Sequence, residues 1–343
     1  MNTRTELTAV DLFCGCGGLS LGLKEAGFAV KAGVELDLSA AQTYGINHQD
    51  TVLFRCDIRD VNAEELKEAG GLKDGELSLL AGCPPCQGFS RIRRHGAADP
   101  RNDLLFEFVR IARVLRPKVV LLENVPGLRR DGRFSVFVDN LESCGYRCKW
   151  DILDAADFGV PQRRKRLILI GSRISPIDFP LKKGRWHSQT LRDCIGSLEQ
   201  PVESKDRLHK MHLNCTPRIQ RLIAKIPIDG GSRAALGKRD QLDCHKRVDG
   251  FRDVYGRMKW DDVAPTLTSG CFNPSKGRFL HPEQNRPITM REAAIIQTFP
   301  KSYRFPTKLG LINIARLIGD ALPPVFARRQ GDHLVSHLAS ASY

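Results

Sequence analysis

Short apolar stretches of strand length recur through residues 8–172, most of them followed by a segment with helical spacing, and this rhythm restricts the chain more than any single motif. Thr8–Phe13, Ala29–Glu35, Val52–Cys56, Leu77–Ala81, Val119–Glu123 and Leu167–Ile170 read as buried strands. Leu19–Ala26, Leu38–Asn47, Ala63–Ala69, Leu104–Leu115 and Phe134–Ser143 between them carry helical patterns. Strands alternating with helices of this length define a doubly wound, Rossmann-like α/β sheet. Ligands of such a sheet bind at the carboxyl ends of its strands, so unusual residues there are the first candidates for function.

From about Lys182 the rhythm stops, and Pro, Gly and charge follow in short runs. It returns with Arg291–Gln297 and the apolar helices Leu309–Ile318 and Val325–Leu338. The expectation is one α/β domain over 1–181 and 300–343, with a second, smaller, irregular and mostly β domain over 182–299. The net charge of +14 is unevenly placed: residues 182–286 hold 21 Lys and Arg against 12 Asp and Glu, a net of +9. A basic face on a mildly charged protein is the footprint of a polyanion binder. Taken alone, a solvated basic surface explains it equally well. The longest apolar runs are strand-sized, and residues 1–25 already hold a strand and a glycine loop in place of a secretion signal, so no membrane and a cytoplasmic location are expected. The 11 cysteines form no paired CxxC knuckles, which points to reduced thiols and no metal.

The first turn reads Asp11-Leu-Phe-Cys-Gly-Cys-Gly-Gly-Leu-Ser, after a strand and opening a helix. Gly15, Gly17 and Gly18 allow a tight turn and close approach of backbone to a ligand. Ser20 stands where a dinucleotide fingerprint has its third glycine. Glu35 ends the second strand, where a carboxylate can hold ribose hydroxyls, and Asp57 ends the third, where it can accept from an adenine amino group. With no phosphate-binding lysine motif, an adenosyl cofactor without phosphate fits this succession. Next, Gly82-Cys-Pro-Pro-Cys-Gln-Gly-Phe-Ser90 follows the fourth strand. Its Cys83 and Cys86 are open to three readings on their own: a redox pair, half of a zinc site, or a structural proline turn. The fifth strand ends Glu123-Asn124-Val125, and Gln162-Arg-Arg-Lys-Arg166 leads into another strand with Arg164 and Arg166 on one face.

Together these segments resemble the C5-cytosine DNA methyltransferases, specifically their prokaryotic members. The resemblance also takes in Arg291-Glu-Ala-Ala, Gln297-Thr-Phe-Pro300 and Ile318-Gly-Asp-Ala-Leu-Pro-Pro324, in matching order and spacing. It implies an S-adenosylmethionine-dependent enzyme whose cofactor site is lined by Phe13, Gly18, Glu35, Asp57, Ile58, Leu104 and Asp320. Cys86 would be the nucleophile, Glu123 the acid on the base, and Arg166, helped by Arg164, the contact to cytosine O2. Residues 182–286 fall where the family keeps its target recognition domain, with Thr266-Leu267 resembling that domain's Thr-Leu pair. Gln87, Arg91, Arg93, Arg94, Thr266 and Leu267 are the expected DNA contacts, and Gly88–Asn102 reads as a flap that closes on double-stranded DNA. The chain departs from the family at Asp320, where Asn is usual, and at Cys83, where a small residue is usual. The short N-terminus suits a bacterial or phage modification enzyme, a monomer acting separately from any cognate restriction endonuclease.

The chemistry explains the residue types. Cytosine C5 is too weak a nucleophile to accept a methyl group until a thiolate adds at C6. That addition places charge on the ring, which an acid at N3 and a guanidinium at O2 stabilise. Neither face is reachable inside a duplex, so the base must flip out. Three other readings compete: a tRNA cytosine methyltransferase with the same residues, a silent DNA-binding homologue, and a redox protein using Cys83 and Cys86.

Overall fold

A computed structural model describes residues 6–73, 75–85, 103–179, 189–237, 239–242 and 253–340. The chain forms two compact units: Met1–Phe158 with Lys165–Arg185 and Leu322–Tyr343, and Gly159–Arg164 with Trp186–Ala321. The sequence boundaries therefore shift. Residues 300–321, expected to rejoin the α/β domain, belong to the second unit. There Gln297 Nε2 donates to the carbonyls of Ile318 (2.8 Å) and Ala321 (2.7 Å), and so ties the helix Gly310–Asp320 to Met290–Ile296.

The first unit is built on a seven-stranded sheet of order β3-β2-β1-β4-β5-β7-β6. Its strands are β1 (Thr8–Leu12), β2 (Ala29–Val34), β3 (Val52–Phe54), β4 (Leu79–Gly82), β5 (Val119–Asn124), β6 (Arg147–Asp154) and β7 (Lys165–Ser172). The first five are parallel, whereas β7 runs antiparallel to both β5 and β6. Helices α1 (Gly18–Glu25), α2 (Leu38–Asn47), α3 (Ala63–Ala69), α4 (Leu104–Leu115) and α5 (Gly132–Ser143) make the crossovers. On α4, Leu105, Phe108, Val109, Ile111, Ala112 and Leu115 are buried, the i, i+3, i+4 stripe of a helix laid on a sheet. Asp37, Asn62 and Asp131 start α2, α3 and α5 by accepting backbone N–H bonds. Strand β6 escaped the sequence reading because Arg147, Lys149 and Trp150 leave it exposed as an edge.

Glycine fixes one packing contact outright. A Cβ on Gly22 of α1 would lie 2.4 Å from Pro324 O and 2.5 Å from Ala327 Cβ of the helix Pro324–Ser340. On the other side, a Cβ on Gly331 would meet Ala26 Cβ at 2.6 Å.

The second unit is irregular, as expected. Among the described residues it holds short helices, 3-10 turns and isolated bridges such as Arg257↔Leu280, with no named strand. Two guanidiniums, Arg257 buried and Arg278 half-buried, take the place of ladder hydrogen bonds. Arg257 donates to the carbonyls of Ile223, Ile226, His281 and Gln284, and Arg278 to those of Gly230, Gly231 and Arg257. The stretch Thr307–Ser340 is long and apolar enough by composition to cross a membrane, yet half of it is buried and the helix breaks between Asp320 and Pro324.

Candidate active site

Everything unusual in the first unit gathers at the carboxyl ends of its parallel strands. After β1, Phe13 (φ 60°), Gly15 (φ 56°) and Gly17 (φ 97°) all take left-handed backbone, so the chain doubles back sharply before Gly18 opens α1. Phe13 takes a steric penalty there that glycine would not. The loop is pinned to β2: Cys14 N donates to Val34 O (3.0 Å), and Gly15 N donates to Glu35 Oε2 (2.9 Å). Asp37 N takes the other Glu35 oxygen at 2.6 Å. Burial nevertheless raises the Glu35 carboxyl above its ordinary range, with these backbone donors opposing it.

Beside β2, Asp57 follows β3 and caps the turn Ile58–Asp60. Its carboxylate is chelated by Arg59, Nε at 3.0 Å and Nη2 at 2.6 Å, which holds it below the usual carboxylate range. Ile58 is buried in the main apolar cluster and Leu104 packs against it. Leu36 and Leu38, flanking this edge, are 62% and 77% exposed. The expected cofactor residues of this unit thus occupy one rim of the sheet. The exposed leucines there went unremarked in the sequence, because an exposed apolar residue shows only in the fold.

At the β4–β5–β7 ends the register does the positioning. Gly82 pairs with Leu122, and Glu123 pairs with Ile168, so the next residues along converge. Glu123 is buried, and Arg166 Nε lies 2.7 Å from its Oε1. Asn124 Nδ2 donates to Pro84 O (3.1 Å), while its Oδ1 accepts from Val125 N (2.8 Å). Cys83 N donates to Leu12 O at 3.2 Å. Two strand ends therefore anchor the turn that leads to Cys86. Burial, followed by the charge of Glu123, pushes the Cys83 thiol well up, making it a poor thiolate and a poor half of a redox pair. Cys86, Gln87, Arg91, Arg93, Arg94 and the expected flap 88–102 lie outside the described residues.

Four expected residues lie in the second unit. Arg164 belongs to the second unit, 2% exposed, and donates to the carbonyls of Leu267 (2.8 Å) and Gly319 (2.9 Å). Its guanidinium is thus held by backbone carbonyls of the second unit. The reason is local: Arg164 precedes β7, and only Arg166 lies on it. Leu267 is fully buried, and its N donates to Gln162 Oε1 at 2.8 Å. Thr266 is half-buried, its Oγ1 donating to Arg163 O at 2.6 Å. Asp320 ends the helix Gly310–Asp320 of the second unit, exposed.

The buried Glu123–Arg166 pair and the glycine loop thus stand at strand ends of one parallel α/β sheet. Residues 7–336 match the family described as C-5 cytosine-specific DNA methylase. The chain belongs to that family and is a DNA cytosine-5 methyltransferase. It is 36% identical over 331 residues to the type II methylase M.HgiDII of Herpetosiphon aurantiacus, covering 93% of this chain and 92% of that protein. It is 32% identical over 333 residues to the type II methyltransferase M1.HphI of Haemophilus parahaemolyticus, covering 94% and 85%. Among solved structures, a prophage-encoded E. coli protein described as a DNA modification methyltransferase superposes with a TM-score of 0.76 at 26% identity, covering 97% of this chain and all of that one.

Proposed function

We propose that the chain methylates C5 of a flipped-out cytosine within a specific double-stranded DNA sequence, using S-adenosylmethionine and a covalent Cys86–C6 adduct. The observation that carries this reading is the buried Glu123–Arg166 pair, 2.7 Å apart, at the strand ends beside the turn leading to Cys86. The rim residues fit the cofactor. Glu35 is held by two backbone N–H groups with lone pairs left for ribose hydroxyls, and the exposed Leu36 and Leu38 offer apolar surface to an adenine ring. Phe13, Gly18, Ile58 and Leu104 shape the remainder, and Asp57 is available to the adenine amino group once Arg59 yields. When bound, this cofactor supplies an electrophilic methyl group on a sulfonium.

The chain's own residues do the rest. Asn124, by holding Pro84, sets the turn from which the Cys86 thiolate reaches C6 of the base. Glu123 donates to N3 as charge builds on the ring, and Arg166 keeps Glu123 oriented while meeting O2. After methyl transfer a base removes the C5 proton, and Cys86 leaves as C5=C6 re-forms. The basic segment 182–286 acts as the target recognition part, its excess of Lys and Arg meeting phosphates. The enzyme works in the cytoplasm of a bacterium, as a monomer separate from any companion endonuclease. Expression in a host lacking cytosine methylation, followed by bisulfite sequencing, tests the reading. One recurrent sequence context of protected cytosines is the expected result, and uniform conversion contradicts it.

A further inference from the structure

Beneath the glycine loop lies a polar cluster that the reaction above does not use. Asp11 of β1 is 0% exposed. Ser20, in the first turn of α1, donates from Oγ to Asp11 Oδ2 at 2.6 Å, and Tyr44 OH of α2 lies 2.8 Å from the same Oγ. Ser20 and Tyr44 are likewise fully buried. Among the described residues Asp11 Oδ1 has no hydrogen-bond partner. Among the described residues the titratable groups facing Asp11 are Glu35 at the end of β2, Cys14 in the loop, Cys83 after β4 and Tyr44 on α2, none of them a cation. Burial pushes the Asp11 carboxyl up to about 7, the Ser20 hydroxyl opposes that rise, and Glu35 adds to it.

A buried carboxylate held by the hydroxyl and the backbone N–H of Ser20, beside an acidic neighbour, is costly unless a positive charge arrives near it. The loop directly above it is the one assigned to a cationic cofactor. We propose that Ser20 is a positioning residue of that loop, acting through Asp11: its hydroxyl holds the buried carboxylate ionised, and the charge so held favours the sulfonium cofactor over its uncharged-sulfur product. The inference rests on the cofactor assignment made above. It differs from a packing role because it ties cofactor preference to one proton. Below neutrality Asp11 is protonated and the preference is lost; above neutrality it is ionised and the preference is present. Binding of the sulfonium near neutral pH then releases a proton, whereas binding of the product releases less.

Calorimetric titration of wild-type protein with S-adenosylmethionine and with S-adenosylhomocysteine, from pH 6 to pH 8.5, tests this. The ratio of the two affinities should rise about tenfold as Asp11 ionises, a shift of one pKa unit being a tenfold change. Asp11→Asn should flatten the ratio. Ser20→Ala, lacking the donor, should move the step to higher pH, Ser20→Thr should restore it, and Tyr44→Phe should leave it near wild type. Melting of the unliganded protein gives a second readout. With its folded value raised, Asp11 costs stability as pH climbs from the ordinary carboxylate range to neutrality, and Asp11→Asn should remove that slope. A wild-type ratio flat with pH, or a slope unchanged in Asp11→Asn, overturns the inference while leaving the cofactor reading intact. Failure of wild type to bind either ligand overturns the cofactor reading and this inference with it.

Discussion

Glu123 and Arg166 are two residues whose chemistry the sequence suggested and whose meeting only the fold could deliver. They stand 43 positions apart, brought together because β7 enters antiparallel beside β5 and sets Ile168 against Glu123. Glu123→Gln keeps the shape and removes the acid, so methyl transfer should fall by about 10²–10⁴-fold with cofactor affinity unchanged. Single-turnover rates and cofactor titration check both halves. Cys86→Ala should abolish transfer and spare cofactor binding, while Cys83→Ala should retain most activity, since the Cys83 thiol is held neutral by burial and by Glu123. Equal loss from both substitutions would favour the redox pair. Arg164 shows where pattern misleads: the two-residue period put it beside Arg166, yet its guanidinium turns to the carbonyls of Leu267 and Gly319. Nothing in a run of basic residues distinguishes a buried tether from a ligand contact.

Elements were legible where burial makes them uniform. The central parallel strands stood out because a strand covered on both faces is an apolar run, as β1, β4 and β5 are. The edge strand β6 was hidden by its own exposure, and the second unit by having side chains in place of ladders to satisfy its backbone. Helix packing was hidden as well, because Gly22 reads only as a weak helix former until Pro324–Ser340 is seen lying against it. Gly22→Ala should cost about 1–3 kcal/mol as overpacking, against a gain for alanine in an isolated helix. A melting temperature lowered by several degrees is the expected outcome, and one raised would mean that the two helices do not pack as described.

At the scale of the whole molecule, charge and chemistry lie in different parts of the chain. Residues 182–286 carry a net of +9, and if they meet phosphates, DNA affinity should fall steeply with salt, by about 0.9 in log–log slope for each phosphate neutralised. Replacing this segment with a relative's should move the methylated sequence and leave cofactor affinity unchanged. Cofactor affinity itself should be nearly insensitive to salt, which separates the two functions in one pair of titrations. The central claim, that a thiol of this chain bonds to the base, has a direct test. A duplex carrying 5-fluorocytosine at the methylated position cannot release fluorine as it would a proton, so the adduct is trapped after methyl transfer. Incubated with this duplex, the wild-type protein should give a complex stable in denaturing gels only when S-adenosylmethionine is present, and Cys86→Ala should give none. A wild-type protein that methylates this sequence yet leaves no adduct would contradict the account.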